Sequence, residues 1–564
     1  MRRYKLLEIF KSNYHYILLS ILLLIIIITN IQVSRYVVGL DNMSPYFNAQ
    51  GIISKALENE GIYILNFGPQ ILLLPYWEIL KSLNIPVWAI IQIYLFSSLI
   101  LGVFGISYLS RKVAIYFNKE NSKEIFFYAG LIYLTSLATY WIFNQPNYFF
   151  VASYASVPWV IYIVLGFVDS KEEKFSAKLI LKYLFYLYIL LLFLQTSINL
   201  VVFLLLLGIV FLISCAIKSF DPKTTGRMYL KILLITSVPL VIYLIGMQVG
   251  LLYVGNYSFV LKYIYEYYTN IVSNPLTESV TQDLRASGYY RNSFVNNLLF
   301  TNSWMETHSS KGLLFENYKL YSGGLFRVIG LLPFTISVFS IFLFSSEKSK
   351  NAIKLHMLLF LSLLLMSTLV LRITDNVPFL SEIFRWSSSK FWTLYLIPLS
   401  LIVSISTPQV LKSFKLKFLF VILLLVYIFP VFTGNLFSEQ LVVDIPNEYV
   451  QLDKEIDREK AYFYLPTPNS TYFYEYKWGY FGSDIVGYLT SGNYYDRGVI
   501  SYFDNFDRYQ KVLKVLTECK DTDSTNEYII YDLNIDTDRT VIKNCLDMEF
   551  DVVKVIDNII VYSK

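Results

Sequence analysis

Residues Leu18–Asn30 read LLSILLLIIIITN, and with their flanks they form an uncharged run from about Tyr16 to Ser34. As a helix, such a run crosses roughly 30 Å of hydrocarbon. It follows Met1-Arg2-Arg3-Tyr4-Lys5, a basic start of the kind that precedes secretory signals, but no small-residue cleavage site follows the apolar core. The segment reads as an uncleaved signal anchor with its N-terminus in the cytoplasm. Ten further apolar runs lie near residues 87–109, 125–142, 154–168, 179–196, 198–217, 232–254, 324–345, 355–371, 391–407 and 416–433. The expected fold class is an α-helical polytopic membrane protein with about 11 transmembrane helices.

Composition agrees. The 564 residues are 55% apolar and only 16% charged, with a mean hydropathy of +0.49. Soluble domains carry about 25% charged residues, so this chain lacks the polar surface of a water-soluble globule. An aromatic content of 18%, with 48 Tyr and 43 Phe, excludes a disordered or collagen-like chain. The net charge of +5 is too small and too localised to imply a nucleic-acid partner.

Loop charge tests the span count independently. With an inside N-terminus, the cytoplasmic pieces are 1–12, 110–124, 169–183, 218–231, 346–354 and 408–417, each with three or four Lys or Arg. The opposite loop 143–153 and the turn near Gln195 have none. Positive-inside thus agrees with the alternation. An odd count puts residues 434–564 outside. Two external loops are long, 34–86 and 255–323.

The expected division is a multi-span module over 1–433 and an external soluble α/β domain over 434–564. After Pro430 the chain turns rich in Asp, Glu, Asn and Tyr. Strand-like alternation in AYFYLP, EYIIYDL and DVVKVIDNIIVYS flanks a helical stretch around Tyr509–Thr517. At about 130 residues this tail can bury a core of its own. It holds Cys519 and Cys545, a disulfide candidate in an oxidising compartment. Cys215 sits in a span as a small apolar residue. The three histidines, His15, His308 and His356, are scattered, and no Cys/His spacing signals a metal site.

The spans contain almost no ionisable group in their hydrophobic middles, which weakens a transporter reading and moves any chemistry to the membrane surface. The first external loop opens Gly39-Leu40-Asp41-Asn42-Met43-Ser44-Pro45-Tyr46-Phe47-Asn48. Asp41 is a carboxylate just beyond the outer end of the first span. At a partly desolvated interface its pKa rises and it can act as a general base. The plainer reading is a turn or helix cap before Pro45.

This arrangement resembles the GT-C class of membrane glycosyltransferases: a short basic N-terminus, one span, then a long external loop opening on an acidic residue. Phe384-Arg385-Trp386-Ser387-Ser388-Ser389-Lys390-Phe391 is similar to an Arg/Lys-Phe element of the arabinofuranosyltransferase-like branch. Leu465-Pro466, Trp478-Gly479-Tyr480-Phe481-Gly482-Ser483-Asp484 and Asn558-Ile559-Ile560-Val561-Tyr562 have the same flavour. The resemblance implies a GT-C-like fold and a polyprenyl-phosphate sugar as donor. It also implies Asp41 as catalytic base and an envelope glycan, lipid or glycoprotein as acceptor.

Departing lipid phosphate needs cationic partners at the same depth. Candidates are Arg385 and Lys390, then Arg372, Arg285 and Arg291. Tyr289, Trp304 and His308 in the second long loop are candidate acceptor contacts. All of these residue types also serve as interfacial anchors. The Trp-Trp-Asp-Tyr-Gly signature of oligosaccharyltransferases is absent; no second acid stands beside Asp41, and a divalent metal stays an open cofactor expectation beside the lipid-linked sugar donor. The alternative from another class is a non-catalytic membrane protein that binds or moves an envelope glycan or lipid.

Overall fold

The computed structural model describes residues 2–38, 79–117, 122–169, 177–196, 200–218, 225–254, 294–301, 308–309, 312–343, 350–367, 387–457, 460–466, 474–482, 486–489, 493–495, 506–520, 528–535 and 540–563. Most of them are helical. The membrane module contains α1 (Arg2–Asn30), α2 (Val87–Tyr116), α3 (Ser122–Thr135), α4 (Leu137–Asn144), α5 (Tyr148–Asp169), α6 (Ala177–Leu194) and α7 (Leu200–Ile217). It continues with α8 (Thr225–Val254), the short α9 (Phe294–Leu299), α10 (Gly324–Leu343), α11 (Lys350–Leu365), α12 (Ser387–Val410) and α13 (Phe414–Tyr427). Each of the eleven apolar runs in the sequence falls on one or two of these helices. The protein is a multi-pass helical membrane protein with a C-terminal sheet region.

Among the described residues, five helices carry stretches long and apolar enough to cross a membrane: Asn13–Asn30, Val87–Tyr116, Tyr148–Asp169, Gly324–Phe342 and Lys390–Val410. The pair α3 and α4 makes a sixth, bent by 50° at its break. The run 125–142 reads as one span in sequence, and the structure divides it at Ser136. The Ser136 side chain accepts from the N–H of Ala138 and caps α4, which offers the backbone an alternative to a continuous helix. Helix α12 is central: 94% of its spanning stretch is buried.

Small residues let the helices approach closely. A Cβ on Gly102 of α2 would lie 2.2 Å from the Tyr154 ring of α5. One turn further, Trp159 of α5 donates its indole N–H to the carbonyl of Leu101 at 2.8 Å.

Polar contacts sort the helix ends into two sets. At one end, Arg111 donates to the Tyr16 hydroxyl at 2.9 Å, Lys417 pairs with Glu124 at 2.8 Å, and Lys112 and Lys218 share Asp169. At the other, Tyr94 meets Gln195 at 3.2 Å, Asn297 donates to the Met366 carbonyl at 2.9 Å, and Tyr321 donates to the Tyr427 carbonyl at 2.9 Å. Basic residues occur in both sets, since Arg327 donates to Asn296 at 3.1 Å in the second.

Outside the five-stranded sheet the strands are short: β1 (Tyr36–Val37), the hairpin β2 (His308–Ser309) and β3 (Gly312–Leu313), and β4 (Val442–Val443). The C-terminal sheet uses β5 (Ala461–Leu465), β8 (Asn493–Tyr495), β9 (Tyr528–Asp532), β10 (Asp551–Ile556) and β11 (Ile559–Ser563), with a separate hairpin β6 (Tyr474–Glu475) and β7 (Phe481–Gly482). The five-stranded order is β10-β11-β9-β5-β8. Strand β5 runs parallel to β8 and β9, while β9-β11 and β11-β10 are antiparallel.

Period-2 alternation divides this sheet's faces. Phe463, Leu465, Ile529 and Tyr531 pack with Val512 and Leu516 of α15 (Phe506–Glu518) and Ile542 and Leu546 of α16 (Thr540–Glu549). Tyr462, Tyr464 and Ile530 point the other way and join the apolar core continuous with the membrane module, next to Tyr449 and Leu452 of α14 (Asn447–Glu455).

Candidate active site at the seam

Helix α1 ends on an asparagine that does the joining. Asn30 is fully buried; its amide donates to the Ile26 carbonyl at 2.8 Å and the Val431 carbonyl at 2.7 Å. Its carbonyl oxygen accepts the N–H of Leu436 at 2.7 Å. The chain then exchanges two hydrogen bonds with Gln92 of α2, from the Gln32 N–H at 2.9 Å and to the Gln32 carbonyl at 2.6 Å.

Next, β1 pairs antiparallel with β4, Tyr36 opposite Val443 and Val37 opposite Val442. The guanidinium of Arg35 donates to the Val442 carbonyl at 2.6 Å and lies 3.8 Å from Asp444. Val38 N–H donates to the Leu441 carbonyl at 2.9 Å. The root of the first long loop is thereby fixed to the segment that opens the C-terminal region.

That segment also holds the second loop. Ser438 N–H donates to the Asn144 carbonyl at 3.0 Å, Gln440 donates to the Leu313 carbonyl at 3.0 Å, and Glu439 N–H donates to Glu316 at 3.2 Å. Burial, with Glu439 nearby, pushes the Glu316 carboxyl above the usual range. Asn317 donates to the Tyr140 hydroxyl at 2.8 Å. The Asn144 Oδ1 and Gln145 Nε2 atoms are buried here without a hydrogen-bond partner among the described residues.

At the same end, a small recess of about 30 Å³ opens at the α3/α4 break, lined by Thr135, Leu298, Phe300, Pro333, Tyr395 and Tyr427 among others. Most of the side chains that line it are apolar. Gly330 keeps it open: a Cβ there would lie 2.7 Å from the Tyr427 hydroxyl.

Of the residues singled out in sequence, Asp41, Arg285, Tyr289, Arg291, Trp304, Arg372 and Arg385 lie outside the described residues. Lys390 stands half-buried in the first turn of α12, beside the buried Phe391 and Trp392. Backbone of His308 forms β2, paired with Leu313. Cys519 and Cys545 are joined in a disulfide with Cα atoms 5.5 Å apart. Among the described residues, no group of three His, Cys, Asp or Glu is placed to hold a metal ion.

One polar cluster carried no motif. Asp532, fully buried, accepts from the Tyr449 hydroxyl at 2.8 Å, the Tyr464 hydroxyl at 2.5 Å and the Asn534 N–H at 2.8 Å. The Asn534 amide donates to Glu448. Burial raises the Asp532 carboxyl, and its three donors hold it part-way back. The available signal was alternation in EYIIYDL, which puts Asp532 on the same side as Ile530. Tyr480 beside this cluster is core at 1% exposure, with Trp478 stacked on it at 5.5 Å.

Comparison with known proteins adds little. No family model matches the chain, and no curated protein matches it. Among solved structures, the crystal structure of ArnT from Cupriavidus metallidurans in the apo state aligns over 98% of both chains, at 10% identity and a TM-score of 0.37. The similarity is too remote to assign any residue a role.

Proposed function

We propose that the protein is a GT-C-type glycosyltransferase that moves a sugar from a polyprenyl-phosphate donor to an envelope acceptor at the outer membrane face. The observation that carries this reading is the seam. Val38 is hydrogen-bonded to Leu441, and Asp41 follows three residues later. Covalent geometry allows the Asp41 Cα no more than about 11 Å from that of Val38. On this reading the tether keeps the Asp41 carboxylate near the end of the bundle where α12 begins with Lys390.

The chemistry follows from this placement. Asp41 takes the proton of an acceptor hydroxyl, whose oxygen attacks the anomeric carbon while the polyprenyl phosphate departs. Lys390 and Arg385, then Arg372, Arg285 and Arg291, neutralise the leaving phosphate. Tyr289, Trp304 and His308 contact the acceptor.

The excess of Lys and Arg in the loops on the side of the N-terminus supports its placement in the cytoplasm. The C-terminal region is then extracellular, consistent with its disulfide.

The test is Asp41→Asn in membranes supplied with a polyprenyl-phosphate sugar pool. Loss of acceptor glycosylation by about 100-fold or more, at unchanged expression and thermal stability, is expected for a general base. Wild-type product from this variant would overturn the assignment and favour a protein that binds glycan or lipid without chemistry.

A further inference from the structure

At the seam end of the bundle, α9 ties together the ends of α10 and α11. Arg327, in the first turn of α10, donates from Nη2 to the Asn296 side-chain oxygen at 3.1 Å and from Nη1 to the Ser322 carbonyl at 3.2 Å. The neighbouring Asn297 donates to the carbonyl of Met366, just past α11, at 2.9 Å. Arg327 therefore stands where α10, α11 and α9 meet.

Both partners of this guanidinium are neutral oxygens. Two of its five N–H groups are used, which leaves three for an anion. The first turn of α10 holds no acidic residue, and a cation at a helix N-terminus opposes the macrodipole. A plain interfacial anchor reaches out into water, whereas Arg327 is partly buried and folded back on α9. The charge is held in place without a counter-charge among the described residues.

Towards the middle of α10, Leu331, Phe334 and Val338 continue the stripe that Arg327 begins, at helical spacing, and all are partly exposed. Phe334 meets Phe360 of α11 with ring centres 6.3 Å apart. On the α11 side, Phe360 is 42% exposed and Leu364 48%. The two helices form an apolar furrow with an arginine at its head.

We propose that Arg327 binds the phosphate of the polyprenyl-phosphate donor and that the prenyl chain lies in this furrow between α10 and α11. The inference rests on the glycosyltransferase reading and adds to it a residue and a path for the chain. A phosphate on an apolar chain matches the charge and the furrow together. Paired N–H groups of the guanidinium take two phosphate oxygens, while the chain covers Leu331, Phe334, Phe360 and Leu364. Asn296 is a positioning residue that orients the guanidinium.

Native mass spectrometry of the full chain in detergent tests this, with decaprenyl phosphate, decaprenol and phosphatidylglycerol as separate probes. Decaprenyl phosphate should be retained, and the other two lost. Arg327→Gln should weaken decaprenyl phosphate binding about tenfold or more, the effect of losing a charged hydrogen-bonding partner; Arg327→Lys should weaken it less. Asn296→Asp leaves the arginine in place but gives it a carboxylate, so it should also weaken binding about tenfold while the unfolding midpoint holds or rises. A merely structural arginine predicts that midpoint with unchanged binding. Unchanged binding by Arg327→Gln or Asn296→Asp, or equal retention of decaprenol, would overturn the site. Equal retention of phosphatidylglycerol would overturn the polyprenyl donor as its occupant. Binding is read without turnover, so the two tests fail separately: wild-type product from Asp41→Asn leaves this site standing, and unchanged binding by Arg327→Gln leaves the general base standing.

Discussion

The backbone N–H of Val38 donates to the carbonyl of Leu441 at 2.9 Å, which ties the root of the first long loop to a segment near the other end of the chain. Closing so large a loop costs entropy that only the assembled bundle can offset. The position of Val38 thus depends on residues that are far away in sequence.

Asn30→Ala tests that dependence. The substitution strips partners from the Val431 carbonyl and the Leu436 N–H, both held by the buried Asn30 side chain. Two buried polar groups left unpaired cost about 3 kcal/mol together. Thermal or denaturant unfolding of the full chain in detergent should register this. Asn30→Asp should also destabilise, since a carboxylate cannot donate to Val431. A change under about 0.5 kcal/mol for Asn30→Ala would show that the seam does not rest on this residue.

Gly102→Ala probes the contact between α2 and α5. The added Cβ would meet the Tyr154 ring at 2.2 Å and the Tyr154 carbonyl oxygen at 2.8 Å. The backbone atom cannot swing away, so overpacking should cost about 1–3 kcal/mol. Gly208→Ala in α7 is the control, because a Cβ there meets nothing within 4 Å. It should be neutral or slightly stabilising through helix propensity. Equal stability of the two variants would refute close packing at Gly102.

The membrane helices were legible because every turn of a span is apolar, so no periodicity is needed to see it. The expected alternation of the ends rests on Lys and Arg in the loops alone. In the C-terminal region AYFYLP, EYIIYDL and the closing hairpin are strands β5, β9 and β10-β11, and Tyr509–Thr517 lies in α15. The break at Ser136 was not legible, since Thr-Ser within an apolar run suits a continuous span equally well. Asn30 looked like an ordinary helix end, for its partners are remote in sequence. Asp532 hid because a buried carboxylate is identified by the side chains around it, here tyrosines from β5 and α14.

Asp532→Asn should flatten the acid side of the stability profile. Burial raises the folded carboxyl above its ordinary value, despite donors from Tyr464, Tyr449 and Asn534. A raised folded pKa means that the native state binds this proton more tightly than the unfolded chain. The contribution is fully present below the unfolded value of about 3.9 and is lost as pH rises through the folded value. The carboxamide removes that component. Unfolding of the full chain followed by Tyr and Trp fluorescence, from about pH 4 to 7, checks it. An unchanged pH slope in the variant would mean that other groups set it.

The Cys519–Cys545 disulfide gives both a stability test and a test of sidedness. It closes a separation of 26 residues, and Cys545 is buried at 1% exposure. On chain entropy such a link contributes about 3.5 kcal/mol. Cys519→Ser with Cys545→Ala should lose about that much relative to the oxidised protein, and reductant should bring the wild type to the same level. For sidedness, Cys215→Ala removes the free thiol. In intact cells a membrane-impermeant maleimide should then label nothing until an impermeant reductant opens the disulfide. Labelling that requires a permeant reductant and a permeant maleimide would place the C-terminal region in the cytoplasm and reverse the orientation proposed here.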